Sequence, residues 1–238
     1  MTRRQVTEYT VASEKITQPL TLAVVADLHD DDYRNVLPEL RRADAILIVG
    51  DLVNRHRNGY LRAVRFLREA PDIAPTFYAL GNHERLLRSR EEYWPHVLES
   101  RVTVLDDRFT AFRGILLGGL SSAEDAPPST DFLARAAGEP GFKLLLCHHP
   151  EYFRRYVAPY DIDLTVAGHA HGGQVELAGR GVYSPGQGFL PRWTHGFYEG
   201  GRLLVSRGMT NSAWLPRFNN PCELIMLTLT GRTNDEAK

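Results

Sequence analysis

Five short clusters in this 238-residue chain combine carboxylate, amide and imidazole side chains: Asp27-Leu28-His29, Gly50-Asp51-Leu52-Val53-Asn54, Gly81-Asn82-His83-Glu84, His148-His149-Pro150 and Gly168-His169-Ala170-His171. Any one of them is weak, because imidazole serves structural roles as readily as metals. Together they form a donor set that suits Mn, Fe or Zn better than Ca or a thiolate-seeking metal. Residues i and i+2 at a strand end point the same way. Asp27 and His29 would therefore share a metal, and so would His169 and His171. The glycines beside them let the backbone turn sharply without a Cβ clash.

Each cluster closes a short apolar run. Residues 21–27, 45–51 and 76–82 read as buried parallel strands, as do 142–149 and 163–169. Ligands in open α/β sheets bind beyond the carboxyl ends of such strands, so five decorated ends converge on one site. Between the strands the apolar period is helical, over 34–42, over 60–70 with Pro71 as its stop, and over 84–100 with a break or kink near Pro95. Short helices are expected at 130–137 and 151–156. Residues 102–105, 108–113 and 115–120 are spaced as an antiparallel meander. The stretch 174–230 reads as short strands and long loops ending in a strand at 222–229. No repeat or linker interrupts the chain. The expectation is one domain over 1–238, an α/β fold in which two sheets of mixed strands form a sandwich flanked by helices.

Composition excludes little but helps. The net charge is −1, with 28 basic and 29 acidic residues, which gives no general electrostatic grip on nucleic acid or an anionic membrane. Nucleic acid stays open as a substrate, without a basic groove to favour it. The two cysteines, Cys147 and Cys222, border apolar runs and read as core residues, which fits a reducing compartment. No apolar run approaches the roughly 18 residues of a membrane span, and the N-terminal MTRRQVTEYTV carries no apolar signal segment. A cytoplasmic location is expected.

The order D-x-H, G-D-x-x-N, G-N-H-E, H and G-H-x-H over residues 27–171 resembles the calcineurin-like metallophosphoesterases. The tail, GGQVELAGRGVYSPGQGFLPRW and SRGMTNSAWLPRFNNPCELIMLTL, is similar to the small single-domain bacterial phosphodiesterase branch of that family. The resemblance implies the calcineurin-like metallophosphoesterase fold and two divalent or trivalent metal ions (Mn, Fe or Zn). One ion would be held by Asp27, His29, Asp51 and His171, the other by Asp51, Asn82, His148 and His169, with Asp51 shared. His83 would be catalytic and not a ligand. Two cations roughly 3.5–4 Å apart bind phosphate oxygens and a bridging hydroxide for in-line attack. His83 would stabilise the developing charge or protonate the leaving alkoxide. The implied activity is phosphodiester hydrolysis of a small phosphate-ester substrate. The same site would serve a phosphomonoesterase or a nucleotide pyrophosphatase. A non-enzymatic scaffold is disfavoured because every motif position is filled.

Several residues fall outside that set. Asp30-Asp31-Asp32 follows D-x-H, where relatives often have small or apolar residues, and is expected in solvent. Asn54 stands where relatives often have Asp; the lost negative charge is expected to tune metal affinity rather than abolish it, with simple orientation of a turn as the alternative. Relatives of this branch often carry an N-terminal anchor or export signal, which this sequence does not show. His149, before Pro150, is expected to be structural, and His56, His96 and His195 to be surface or loop residues. No dense Arg or Lys cluster flanks the motifs, and the nearby charges are acidic; both points favour a diester over a monoester dianion. Arg217 and Asn219, with the 184–193 loop, would cradle one ester arm, with Phe189 or Trp193 stacking on it. Simple packing of that loop is an equal alternative for the two aromatics.

Overall fold

A computed structural model describes residues 2–122, 127–211 and 215–232; Ser212–Trp214 of the tail quoted above lies outside them. Two six-stranded sheets stack face to face. The first has the order β1-β16-β2-β3-β4-β5, comprising β1 (Arg4–Ala12), β2 (Leu20–Val25), β3 (Ala45–Val49), β4 (Thr76–Ala79), β5 (Thr103–Leu105) and β16 (Cys222–Thr230). The second has the order β14-β15-β9-β8-β7-β6, comprising β6 (Arg108–Phe112), β7 (Ile115–Leu120), β8 (Phe142–Cys147), β9 (Leu164–Ala167), β14 (Gly196–Tyr198) and β15 (Leu203–Val205). Two-residue hairpins, β10 (Glu176–Leu177) with β11 (Arg180–Gly181) and β12 (Tyr183–Ser184) with β13 (Gly188–Phe189), decorate the loop after β9. The helices are α1 (Leu37–Leu40), α2 (Leu61–Ile73), α3 (Asn82–Arg85), α4 (Arg90–Glu99) and α5 (Asp131–Ala137).

The period-2 alternation of a strand sorts its side chains onto two faces, and both faces are apolar here. In β2, Leu22 and Val24 point between the sheets, where they meet Leu47, Leu144, Leu146 and Val166. Ala23 and Val25 point outward, against a core that includes Phe66, Leu67 and Tyr93 from α2 and α4. On the far side, Leu145, Cys147 and Val205 pack with Phe132, Phe153 and Trp193. Burial on both faces explains why these runs carry almost no polar residues until their carboxyl ends. Cys147 and Cys222 are buried free thiols. Among the described residues, no helix is long and apolar enough to cross a membrane.

Four expectations need correction. β1 was not foreseen: its RQVTEYTVA pairs in parallel with β16 at the sheet edge, with only alternate residues part-covered, so it never needed a continuous apolar run. α2 runs past Pro71 to Ile73; proline in the last turn forfeits one hydrogen bond without ending the helix at once. The 84–100 segment breaks at 86–89, not at Pro95, which lies inside α4. Asn58 fills that break, donating to Ser89 Oγ at 2.7 Å and accepting the Ser89 N–H at 3.1 Å. The expected meander does not exist as one unit. β5 pairs in parallel with β4 in the first sheet, while β6 and β7 form a hairpin in the second; the chain changes sheets between Leu105 and Arg108.

Candidate metal centre

The carboxyl ends of β2, β3, β8 and β9 and the start of α3 meet at one edge of the sandwich. There the backbone leaves ordinary strand geometry. Asp27, His29, Asp51, His169 and His171 adopt left-handed conformations, with φ of 53°, 50°, 54°, 64° and 48°. Such positions are uncommon for residues with a Cβ and cost of order 1–3 kcal/mol each. Five together turn their side chains onto one point, and all five are buried. Close backbone approach is also required. A Cβ on Gly81 would stand 2.2 Å from Asp51 Oδ1, and one on Gly50 (φ 76°) 2.5 Å from His148 Nδ1.

The side chains form two overlapping groups. In the first, His29 Nε2 and His171 Nε2 face each other at 3.4 Å, and each lies within 3.8 Å of Asp27 Oδ1. In the second, His148 Nε2 stands 3.2 Å from both Asp51 Oδ2 and His169 Nδ1. Asp51 Oδ2 is also 4.0 Å from His29 Nε2, so this carboxylate touches both groups. Asn82 Oδ1 is buried there and makes no hydrogen bond among the described residues.

These facts fit metal ions. Ligand atoms held about 2.1 Å from one ion stand roughly 3–3.4 Å apart, close to the spacings observed. Facing imidazole nitrogens and an orphaned amide oxygen are otherwise costly in a buried place. Burial drives the His29 and His169 imidazoles well below their ordinary range and His171 down to about 3, which favours neutral rings with one nitrogen lone pair each. Burial pushes the Asp27 carboxyl up to about 7. Burial would also lower His148, but the adjacent Asp51 outweighs it and raises that imidazole to about 10. Burial acts upward on Asp51 too, yet the surrounding imidazoles, His148 foremost, hold its carboxyl well below the usual range.

Outer contacts set the orientations. His148 Nδ1 donates to Val49 O at 2.8 Å, which leaves Nε2 as the free donor of electrons. Glu84 fixes the Asp51 turn: its carboxylate accepts the N–H groups of Asp51, Leu52, Val53 and Gly81 at 2.7–3.2 Å. His83 N–H donates to Asp51 Oδ1 at 2.8 Å. His83 Nδ1 accepts the Arg55 N–H at 3.2 Å and faces His29 Nδ1 at the same distance. With His29 turned by Nε2 toward the first group, its Nδ1–H also points at His83 Nδ1. His83 then carries its proton on Nε2, 3.7 Å from Asp51 Oδ2. His83 is close enough to His29 and Asp51 to count geometrically as a donor with them.

A cavity of about 750 Å³ opens over these groups. Its lining includes Asp51, Asn82 and His83, the turn residues Arg55, His56 and Arg57, and His149, Glu151, Tyr152, Tyr183 and Pro185. The expectation that the charges near the motifs are acidic is corrected here: Arg55 and Arg57 line the cavity. His56 is an exposed turn residue, as expected, and it also lines the cavity, its ring 5.1 Å from that of His83. The acidic run faces elsewhere: Asp30 Oδ1 caps the start of α2 through the Arg62 and Ala63 N–H groups, Asp31 pairs with Arg4, and Asp32 with Arg34. His149 is not remote from the centre, since its ring lies 4.1 Å from that of His169. It bonds Ser122 Oγ at 2.7 Å and Glu151 Oε1 at 3.1 Å.

Matching residues 20–173 is the family model of the calcineurin-like phosphoesterases. The chain belongs to this family. An uncharacterized metallophosphoesterase of Helicobacter pylori is 24% identical over 96% of the chain and 65% of its own length. One of Campylobacter jejuni is 29% identical over 91% of the chain and 61% of its own length. The chain thus spans less than two thirds of these relatives. The solved NAD nucleotidase of Haemophilus influenzae is similar at 17% identity and a TM-score of 0.46, over 65% of this chain and 39% of that one.

In this calcineurin-like phosphoesterase, residues beyond the matched range reach the centre from behind. Asn220 is buried and donates to the carbonyls of His171 and Gln174 at 2.7 and 3.1 Å. It was missed in favour of its exposed neighbour Asn219, which does not line the cavity. Arg217 does not line it either; its guanidinium lies 3.3 Å from His171 Nδ1 and donates to Thr210 O at 2.8 Å. Trp193 is buried in the outer core and donates to Glu199 at 3.0 Å, and Phe189 is exposed against Tyr183. Trp193 thus packs the loop, whereas Phe189 touches Tyr183 and is otherwise exposed. His96 sits on α4 near Glu99, and His195 near Glu176.

Proposed function

We propose that the protein is a phosphodiesterase acting on a small phosphate ester held by two metal ions that share Asp51. Asp27, His29, Asp51 and His171 would hold one ion, and Asp51, Asn82, His148 and His169 the other. When bound, ions of the kind this donor set suits (Mn, Fe or Zn) supply Lewis acidity to the phosphate oxygens and to the attacking water. The chain's own work is orientation and charge placement. Val49 fixes the His148 tautomer, and Glu84 locks the Asp51 turn. His83, with Nδ1 engaged by Arg55 and facing His29, presents Nε2–H to an ester oxygen as negative charge develops on it.

The observation that carries the diester reading is the breadth of a cavity of about 750 Å³, whose lining extends from the centre in two stretches of chain. The lining includes the 55–57 turn, whose His56 packs on His83, and His149 and Tyr152, of which His149 packs on His169. A diester has two arms to place; a monoester has one. Arg55 and Arg57 in the lining are the observation that favours a monoester dianion instead. The decisive comparison is kcat/KM for bis-p-nitrophenyl phosphate against p-nitrophenyl phosphate with the best metal. The diester is expected to be preferred. A monoester preference of about tenfold, roughly 1.4 kcal/mol in transition-state binding, would overturn the reading.

A further inference from the structure

His149 stands directly beside the second group of donors, and both its ring nitrogens are engaged elsewhere. Nδ1 meets Glu151 Oε1 at 3.1 Å and Nε2 meets Ser122 Oγ at 2.7 Å. Ser122 and His149 are both buried. The His149 ring lies 4.1 Å from that of His169 and edge-on to His148 at 5.2 Å, so its packing reaches two donors of the second group. His169 turns Nδ1 toward His148 Nε2, at 3.2 Å. Its Nε2 then faces the other way, toward Glu151 and Gly186. A Cβ on Gly186 (φ 72°) would stand 2.2 Å from Glu151 Oε1 and 3.1 Å from His169 Nε2. His149, Glu151 and His169 each bring a nitrogen or a carboxylate oxygen within 4.8 Å of the others. Glu151 Oε2 is buried and makes no hydrogen bond among the described residues.

We infer that His149 and Glu151, anchored on Ser122, brace the His169 imidazole and so set the affinity of the second ion alone. The inference rests on the two-ion reading and adds positioning residues to it. A ligand imidazole whose remote nitrogen faces a carboxylate is held in orientation and made a stronger donor. Here the carboxylate is itself fixed, through His149, to Ser122 just beyond the end of β7. The first group is tied differently: Asp27 accepts the His169 N–H, and His29 faces His83 and His171.

The test is manganese titration of the metal-free full chain, with free and bound ions read by electron paramagnetic resonance. Placed in the wild-type chain, Glu151→Gln is expected to keep two bound ions but to weaken one of them about 10–100-fold, the usual loss when the support of a ligand is removed. Two backgrounds assign the ion. The loss should persist in His29→Ala, which lacks a donor of the first group, and vanish in His148→Ala, which lacks one of the second. His149→Ala should weaken the same ion. Glu151 is only part-buried, so Glu151→Gln still reads the brace should His149→Ala fail to fold. Equal weakening of both ions would give the cluster a general structural role and overturn the inference. So would unchanged binding in Glu151→Gln; in either case the two-ion reading stands. A third ion on the wild type, lost in Glu151→Gln, would make the cluster a metal site and not a brace. A single ion on the wild type would overturn the two-ion reading, and the inference with it.

Discussion

His83 and Glu84 are neighbours with different work. His83 reaches the cavity with Nε2, while its Nδ1 accepts the Arg55 N–H. Replacing it by alanine is expected to leave metal content unchanged and to lower turnover roughly 10²–10⁴-fold, the usual loss for a proton donor or charge stabiliser. Loss of metal from His83→Ala would instead make it a ligand. Glu84 never enters the cavity; its carboxylate gathers four backbone N–H groups around the Asp51 turn. In Glu84→Gln, one acceptor oxygen becomes an NH₂ facing those donors. Metal affinity, measured by chelator competition, is expected to fall about 10–100-fold, as when the support of a ligand is removed. Unchanged affinity would show that the turn holds itself.

The elements matter mainly through their ends. β3 and β4 bring Gly50-Asp51 and Gly81 so close that Gly81→Ala would press a methyl onto Asp51 Oδ1 and the Asp51 amide. Overpacking of this kind costs about 1–3 kcal/mol, so Gly81→Ala should melt at lower temperature and bind less metal. A normal melting curve with full metal content would contradict the tight approach. The five decorated strand ends were legible because buried strands are apolar on both faces, and polar residues cluster only where the strand stops. β1 was not legible, since an edge strand with one part-covered face needs few apolar residues. The sheet change after Leu105 was hidden because alternation reveals a strand but not its partner. Arg55 and Arg57 drew no notice because sequence gives no view of what a turn faces. Asn220 was missed for a similar reason: only the fold shows which of two adjacent asparagines points inward.

At the scale of the molecule, the inter-sheet core holds the strained ends in register. Leu146 is fully buried between the sheets, one residue from Cys147 at the end of β8. Leu146→Ala is expected to cost about 2–5 kcal/mol, read by denaturant unfolding of the metal-free protein; a loss below 1 kcal/mol would mean that the sheets do not depend on this contact. Metal binding only to the folded chain raises apparent stability with metal concentration, so chelator should lower the melting temperature. The central claim is that Asp51 joins two ions in one centre, and metal content of the reconstituted protein by elemental analysis tests it most directly. About two ions per chain are predicted, the stoichiometry of a two-metal centre, with Asp51→Asn weakening both sites together. A single ion per chain, retained unchanged in Asp51→Asn, would contradict the account.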